Sequence, residues 1–413
     1  MNRRKRVLLV GRHFWPHGSL DSAAYLIQLS AGLERRGIQT EVLTPKFASF
    51  WSEEFAYQNV IVHRPVNAPK GDWSVSRYIR HLTNWLRENA KSFDVLMVDR
   101  GREELIAVAD AARSLGCRTT ARIQGWGNDS DVRWWNQTRL GRRCAAHAKT
   151  IDMLIAANAD CHRQLLQQGF VDSRIHRDVP AVRGGVLRNP QQQKLIRSAL
   201  AAINSDLQCD DNPVLLCVGE MNRSGGMRLL ADSAANLVTR YPDLKIWFVG
   251  DGPDRGQLHD LLRGEGLRGA YAMPGSFTEL NDVMLAADFY IQLGAKGTNA
   301  LLPKAIAAEL PLIVEDNEPN RDFLNRSLNS DNVDFNGTTK VQWFDRETPK
   351  TLRQAVRRAV DDTEGSQKNA SQLRRGMLRS APLDQTIEQY VQLFDELARR
   401  INPTRKDSLG VIS

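Results

Sequence analysis

Residues 289–314 read FYIQLGAKGTNALLPKAIAAELPLIV, and this stretch decides the fold. Two short apolar runs, at 289–293 and 312–314, flank a glycine-containing loop at 294–299 and a segment at 299–309 that favours a helix. A strand, a loop, a helix and a second strand in this order are typical of a βαβ unit. Because parallel strands are joined by such crossovers, the stretch predicts a parallel sheet with helices on its faces.

The same alternation of apolar runs and amphipathic stretches extends through most of the chain. It forms two series, and a polar stretch that ends in Asp210-Asp211-Asn212-Pro213 separates them. We predict an α/β protein with two doubly wound, Rossmann-like parallel-sheet domains facing a cleft. The predicted boundaries are 1–187 for the first domain, 188–212 for a linker, 213–380 for the second domain and 381–413 for a C-terminal helix that returns toward the first domain and ends in a frayed tail.

Basic residues are concentrated in the first half of the chain. The whole sequence has 56 Lys and Arg, 48 Asp and Glu and a formal net charge of +8, while residues 1–190 hold 29 of these basic and 18 of these acidic residues. A basic half suits an anionic partner such as acidic lipid, acidic glycan or nucleic acid, or is an ordinary solvated surface. No recognition motif of a nucleic-acid-binding module is present, so we predict no nucleic-acid partner.

Composition also excludes several classes of protein. No apolar run approaches the roughly 20 residues of a membrane-spanning helix, and the run that follows the basic start is too short for a secretory signal. The five cysteines include no Cys-x-x-Cys pair and no cluster at zinc spacing. We therefore predict a cytoplasmic protein without a structural metal or a disulfide framework, with peripheral contact to the inner face of the membrane as a second expectation.

Three loops between predicted strands and helices contain glycine. They lie at 13–19, 219–226 and 294–299. Glycine lets backbone N–H groups approach a phosphate, and a helix start adds partial positive charge. Tight turns use glycine for purely structural reasons as well, and no strict G-x-G-x-x-G or Walker motif is present. Together the loops favour a phosphate-bearing ligand.

The order of these landmarks resembles a known family. Segments 16–19, 182–186, 249–253, 274–276 and 296–311 are similar to the landmarks of the family 4 glycosyltransferases, also described as glycosyl transferases group 1. The last of them aligns without gaps to the family's donor-binding helix, and the resemblance covers most of the chain. It implies the GT-B fold, no metal cofactor and a nucleotide-diphosphate sugar as the donor substrate.

The resemblance also implies that the donor site has changed. Where the family has two glutamates in the donor-binding helix, this chain has Lys296 and Lys304. The family's arginine and lysine that neutralise the diphosphate align with Glu220 and Gly225, and its frequent first-domain histidine aligns with Gln124. Lysine only donates hydrogen bonds, so it cannot accept them from ribose hydroxyls as a carboxylate does. A glutamate facing the diphosphate opposes the charge that develops as the diphosphate departs.

Two interpretations of this exchange stay open. In the first, the site is inverted and Lys296 and Lys304 face phosphates. In the second, Glu220 pairs with Lys304 or Lys296 as an internal ion pair. Arg223 lies nearby in the sequence and is a candidate to replace part of the lost positive charge, although its position is not the family's. The resemblance assigns donor binding to a set of residues from four loops and one helix: Gly18, Ser19, Glu220, Arg223, Gly225, Gly275, Lys296, Gly297, Thr298, Asn299 and Lys304.

The remaining candidates are a few loop residues of the first domain. His13, His17 and Gln124 are candidate catalytic residues, although a loop histidine is more often a surface or hydrogen-bonded group. Aromatic faces stack against sugars, so the acidic and aromatic segment 125–135 is either an acceptor platform or a loop packed on the domain. Its acceptor candidates are Trp126, Asp129 and Trp134.

The resemblance implies retaining transfer of a hexose from a nucleotide sugar to a hydroxyl acceptor. The acceptor would be a glycan or a lipid-linked group bound by the first domain. The replaced donor-site residues favour a different class, a catalytically lapsed member (a pseudoenzyme) that binds a ligand or a partner. The sequence leaves both hypotheses open.

Overall fold

A computed structural model describes residues 4–185, 188–325 and 341–399. The described chain forms two compact units. The first contains residues 4–14, 26–178 and 384–399, and the second contains the described residues of 15–25 and 179–383. Val186 and the predicted tail beyond residue 399 lie outside the described residues.

The described part of the first unit has an eight-stranded sheet in the order β3-β4-β2-β1-β5-β6-β7-β8. All neighbouring pairs in it are parallel except β3 with β4, which are antiparallel. Its strands are β1 (Arg6–Val10), β2 (Gln39–Leu43), β3 (Glu54–Tyr57), β4 (Val60–His63), β5 (Val95–Val98), β6 (Arg118–Ile123), β7 (Met153–Ala156) and β8 (Ile175–Arg177). The helices that accompany them are α1 (Asp21–Arg35), whose first turn falls in the second unit, α2 (Asp72–Asn89), α3 (Glu103–Leu115), α4 (Asp131–Gln137), α5 (Arg139–Ala148) and α6 (Ala159–Gln167).

The described part of the second unit has a six-stranded parallel sheet in the order β11-β10-β9-β12-β13-β14. Its strands are β9 (Val214–Val218), β10 (Lys245–Val249), β11 (Tyr271–Gly275), β12 (Phe289–Gln292), β13 (Leu312–Glu315) and β14 (Gln342–Phe344). Its helices are α7 (Pro190–Ile203), α8 (Met227–Arg240), α9 (Arg255–Gly264), α10 (Asn281–Ala286), α11 (Leu301–Ala307), α12 (Glu318–Asn325), α13 (Pro349–Asp361) and α14 (Thr363–Ser380), and the chain returns to the first unit in α15 (Leu383–Arg399).

The predicted fold class is confirmed: both units are α/β with essentially parallel sheets. Central strands such as β5 and β9 are buried along their whole length. This is the pattern of strands covered on both faces, and it explains why continuous apolar runs identified them in the sequence.

The stretch predicted as a linker contains a helix instead. α7 begins at Pro190, and the Asn189 side chain caps it by accepting a hydrogen bond from the Gln192 backbone N–H (2.8 Å). Buried Arg197 then ties α7 to the segment 286–288 of the same unit, where its guanidinium donates to the Ala286 carbonyl (2.9 Å) and pairs with Asp288 (2.5 Å). Asparagine followed by proline is a helix-start signal as well as a turn signal.

A buried carboxylate organises the loops at the carboxyl ends of β5 and β6. Asp131, at the first residue of α4, is fully buried. Its Oδ1 accepts from Arg100 (2.9 Å) and Arg102 (2.8 Å), and its Oδ2 accepts from the backbone N–H groups of Gly101 (3.0 Å) and Gln124 (2.9 Å). Burial pushes the pKa of Asp131 up, but the two guanidinium groups outweigh burial and hold the pKa below its usual range.

We predict that Asp131→Asn destabilises the protein by about 2–4 kcal/mol, because it leaves two arginines without their counter-ion. Denaturant unfolding of the two proteins at neutral pH measures this difference. The pKa of Asp131 in the folded protein lies below the unfolded value of about 3.9. The stability that the Asp131 carboxylate contributes should therefore persist above that pH and disappear as the pH falls through the folded pKa.

The matched control is Asp384→Asn, which removes an ion pair with Arg36 in the same unit (3.1 Å). The Asp384 side chain is 80% exposed, so its loss should cost about 1 kcal/mol or less. Equal effects of the two substitutions would contradict the organising role of Asp131.

Candidate functional site

Most of the predicted donor-site residues lie on loops at the carboxyl edge of the second sheet. One loop follows β9 and carries Glu220, Arg223 and Gly225, while another follows β12 and carries 296–299. Because β9 and β12 are parallel neighbours, both loops leave the sheet at the same edge. Ligands of open α/β sheets bind at this kind of edge, so the structure brings these predicted residues together.

An ion pair joins the two loops. The Lys296 Nζ lies 3.8 Å from the Glu220 Oε2 and donates a hydrogen bond to the Ser224 Oγ (2.6 Å). Of the two partners the sequence left open for Glu220, the structure shows Lys296. Both side chains of the pair are more than 40% exposed, so the pair adds little to stability and remains accessible to a ligand.

Polar side chains hold the loops after β12 and β9 in place. The Asn320 Nδ2 donates to the carbonyls of Gly294 (3.3 Å) and Glu315 (2.9 Å), and its Oδ1 accepts from the Thr298 hydroxyl (2.6 Å). Arg346 donates to the Ser224 carbonyl (3.1 Å) and pairs with Glu315 (3.2 Å). Asn320 and Arg346 were not predicted, since no local pattern in the sequence marks them.

The start of α11 is capped by a residue distant in sequence. The Asp21 Oδ1 accepts from the backbone N–H groups of Ala300 (2.7 Å) and Leu301 (3.0 Å), and its Oδ2 accepts from the backbone (3.3 Å) and side-chain (3.0 Å) nitrogens of Asn299. A carboxylate at a helix start satisfies N–H groups that lack partners within the helix. These N–H groups are therefore occupied by the protein itself, and the Asn299 side chain takes part in the same contact.

Lys304 is half-buried on α11. Burial holds the pKa of Lys304 below its usual value, Glu279 acts against this shift and Arg183 adds to it. Within the described ranges, Lys304 has no carboxylate at ion-pair distance. An ammonium group in this position is poorly compensated by the protein.

The other predicted donor residues divide into packed and open positions. The Ser19 Oγ accepts from the Phe277 backbone N–H (2.9 Å), and a Cβ on Gly18 would lie 1.9 Å from the Thr278 carbonyl oxygen. These two residues therefore pack against backbone. A Cβ on Gly297 would lie 2.5 Å from the Gln292 side chain, and the Gly225 N–H donates to the Asn222 side chain (2.8 Å). Two of the predicted donor residues are in more open surroundings: Gly275, where a Cβ would meet no atom within 4 Å, and Arg223, whose side chain is exposed.

The candidate catalytic residues fall in both units. In the first unit, the His13 ring stacks on Phe47 with a centroid distance of 5.0 Å, and Gln124 is buried, where its side chain donates to the Asp99 carbonyl. His17 is half-buried in the second unit. The structure thus gives Gln124 a hydrogen-bonded interior position, and His13 an aromatic partner.

The predicted acceptor residues also differ in their surroundings. Trp126 is 37% exposed on the loop after β6 and lines a cavity in the first unit. Trp134 carries the Arg102 guanidinium over its ring at 4.6 Å from the centroid. Asp129 contributes its carbonyl to Arg102 and is not among the residues that line the cavity. Trp126 is therefore the acceptor candidate that faces open space.

Two family models match the chain in succession. The model described as Glycosyltransferase Family 4 matches residues 22–177, and the model described as Glycosyl transferases group 1 matches residues 212–362. Together they span most of both units. The chain belongs to the family 4 glycosyltransferases.

Comparison with individual proteins agrees with this family. The glycosyltransferase is 28% identical over 156 residues to the alpha-D-kanosaminyltransferase of Streptomyces kanamyceticus, and the match covers 38% of each protein. The match thus spans well under two thirds of the length of this relative.

Two solved structures resemble the glycosyltransferase over nearly its whole length. HepE of Anabaena in complex with UDP and glucose gives a TM-score of 0.71 at 14% identity, covering 95% of this chain and 100% of that one. Sucrose-phosphate synthase of Thermosynechococcus elongatus gives a TM-score of 0.70 at 13% identity, covering 96% and 100%. At these identities the likeness shows the fold, which is GT-B as the sequence predicted.

We predict that Asp21→Ala in this glycosyltransferase lowers stability by about 1–2 kcal/mol, the usual cost of losing a helix cap. Thermal unfolding measures the change. Asp21→Asn keeps a side-chain oxygen and should lose less. Asp72→Ala is the control because it removes an acidic residue from the first turn of α2, whose N-cap residue is Gly71. A midpoint unchanged by Asp21→Ala would show that the cap contact contributes no stability.

Proposed function

We propose that this glycosyltransferase transfers a hexose, with retention, from a nucleoside-diphosphate sugar to a hydroxyl group of a glycan or lipid-linked acceptor. The family and the fold support a transferase. HepE of Anabaena, which shares the fold, has been solved with UDP and glucose and with UDP-glucose. In the proposal, the second unit binds the donor and the first unit binds the acceptor.

Lys304 is the observation that carries the donor part of the proposal. Its half-buried ammonium group lacks an ion-pair partner among the described residues, and Arg183 adds positive charge nearby. A diphosphate would supply the missing negative charge. Because the N–H groups at the start of α11 are occupied by Asp21, phosphate contacts must come mainly from side-chain cations.

The chemical role of these cations follows from charge. As the sugar–phosphate bond breaks, negative charge grows on the departing diphosphate, and a cation already in place stabilises that charge. Lys304 is suited to this role because its surroundings compensate its charge poorly before the ligand binds. Lys296 can also stabilise the departing diphosphate, but its ammonium group is already paired with Glu220.

A second candidate function is supported by a specific observation. Glu220 faces the same sheet edge as the cations, and its pairing with Lys296 neutralises one of them. A diphosphate would meet this carboxylate where the family usually has an arginine. This arrangement favours a lapsed family member that binds a glycan or a protein partner without transferring sugar.

Calorimetric titration with UDP, GDP, ADP and their hexose conjugates distinguishes the two functions. We expect one nucleotide to bind with micromolar affinity, and Lys304→Met to weaken its binding by about tenfold, which corresponds to about 1.4 kcal/mol. Lys350→Met removes an exposed lysine of the same unit and should leave binding unchanged. Release of the nucleoside diphosphate from the bound conjugate then tests transfer itself.

Two results would contradict nucleotide-sugar transfer. One is the absence of binding to every nucleotide by protein shown to be folded. The other is binding of a conjugate without release of its nucleoside diphosphate in the presence of a panel of glycan acceptors. Either result supports the second candidate.

The lowered pKa of Lys304 also predicts an effect on stability. Because the folded pKa lies below the unfolded value of about 10.4, the charged lysine opposes folding at neutral pH. Lys304→Met should therefore raise the thermal midpoint of the ligand-free protein at pH 7. The gain should shrink as the pH rises through the folded pKa, while Lys350→Met should show neither effect. A lower midpoint for Lys304→Met would contradict this account of the lysine.

Peripheral contact with an anionic membrane remains part of the proposal. The structure has no helix, within the ranges it describes, that is long and apolar enough to cross a bilayer. Arg139 and Arg142 on α5 are exposed, and Arg143 pairs with Asp110 (3.3 Å). The exposed pair supports attraction to acidic lipid headgroups, which act on basic residues close to the surface.

A further inference from the structure

A row of apolar side chains faces outward on α7. Leu195 is 72% exposed and Ile203 is 80% exposed, and exposed Ala199 lies midway between them. Because residues four positions apart are neighbours on a helix surface, these three side chains form one row, which we call the α7 ridge. Exposed Ala202 lies beside it. Single exposed aliphatic residues are common, but a contiguous row of them suits contact with another protein surface.

The opposite side of α7 is anchored within the second unit. Leu200 and Arg197 are buried, and the Gln193 Nε2 donates to the Asp288 Oδ1 (3.0 Å). The Asn189 cap fixes the start of the helix. The α7 ridge is therefore held in one orientation, and a fixed surface loses less conformational entropy when it binds.

The shape of the α7 ridge fits a second copy of itself. Rows of residues four positions apart are the ridges by which helices most often interlock in globular proteins. Ala199, at the centre of the row, lets two helix axes approach closely. Leucine and isoleucine have the same volume, so the row is equally bulky at its two ends. Two copies that run antiparallel would place Leu195 of one against Ile203 of the other.

The charges beside the α7 ridge favour the same arrangement. Lys194 is exposed next to Leu195, and Asp206 is exposed three residues beyond Ile203. Neither charged side chain makes an ion pair with another residue that the structure describes. In an antiparallel pair, Lys194 of each copy lies near Asp206 of the other, whereas a parallel pair would bring like charges together. Charge complementarity therefore points to a second copy of this chain as the occupant.

We propose that the protein forms a two-fold symmetric dimer in which two α7 ridges pack antiparallel. Each contact then occurs twice, as two-fold symmetry requires. The 14 residues of α7 span only about 21 Å, so the interface is smaller than that of a permanent dimer. We therefore expect a dissociation constant in the micromolar range. The inference goes beyond sugar transfer, because it depends on α7 and holds whether or not a nucleotide binds.

Sedimentation equilibrium of the full chain, at concentrations up to about 200 μM, tests the proposal. We expect the average mass to rise from that of a monomer toward that of a dimer. Ala199→Arg places a long charged side chain at the centre of the α7 ridge and should weaken dimerisation by about tenfold or more. Ala199 is exposed and arginine favours helices, so the variant should keep its fold, which circular dichroism checks.

Gln354→Arg is the matched control. It introduces the same side chain at an exposed position of α13 in the same unit, so this variant should dimerise like the unsubstituted protein.

A charge exchange tests the antiparallel orientation. Lys194→Glu brings two carboxylates together at each end of the pair and should weaken dimerisation by about threefold, a modest change because both groups are exposed. Adding Asp206→Lys to this variant recreates opposite charges with their signs exchanged and should restore dimerisation. A parallel pair would show no such recovery.

Three results would overturn the proposal. One is a protein that stays monomeric over the whole concentration range. Another is equal dimerisation of Ala199→Arg and Gln354→Arg. The third is a charge-exchanged double variant that dimerises no better than Lys194→Glu. Nucleotide titration of Ala199→Arg, which should match the unsubstituted protein, separates failure of this interface from failure of the donor site.

Discussion

The first unit depends on one buried carboxylate. Asp131 binds two guanidinium groups and two backbone N–H groups, and in doing so it ties the loop after β5 to the loop after β6. The second of these loops carries Trp126, and α4 starts at Asp131 itself. The position of the indole and of the α4 side chains in the cavity therefore follows from an electrostatic contact in the interior.

The second unit uses a carboxylate in a comparable way. Asp21 accepts hydrogen bonds from the first N–H groups of α11, and buried Asn320 holds the loop that leads into that helix. Backbone groups that often bind ligands are thereby taken up by the protein itself. In the proposed function, side chains of opposite charge then meet the donor, Lys296 and Lys304 against Glu220. In that proposal, the balance between these charges determines whether the protein transfers sugar or only binds a ligand.

Sequence patterns predicted the parts of the fold that depend on local order. The apolar runs at 289–293 and 312–314 correspond to β12 (Phe289–Gln292) and β13 (Leu312–Glu315), and the segment at 299–309 contains α11 (Leu301–Ala307). α2 was missed, although Tyr78, Ile79 and Leu82 are buried at helical spacing. The contacts of Asp21 with 299–301 join residues almost 280 positions apart. Such contacts exist only once the chain has folded, so no local pattern could reveal them.

The edge strands of the two sheets affect how readily the protein aggregates at high concentration. In the described residues, β8 and β14 end their sheets with three residues each, and β11 ends the second sheet with Pro274, which lacks an N–H group. At the opposite edge of the first sheet, β3 is antiparallel and carries exposed Glu54. Long unpaired edges are templates for aggregation, and short, charged or proline-containing ones are not. The described edges therefore offer little backbone to which another chain could add a strand.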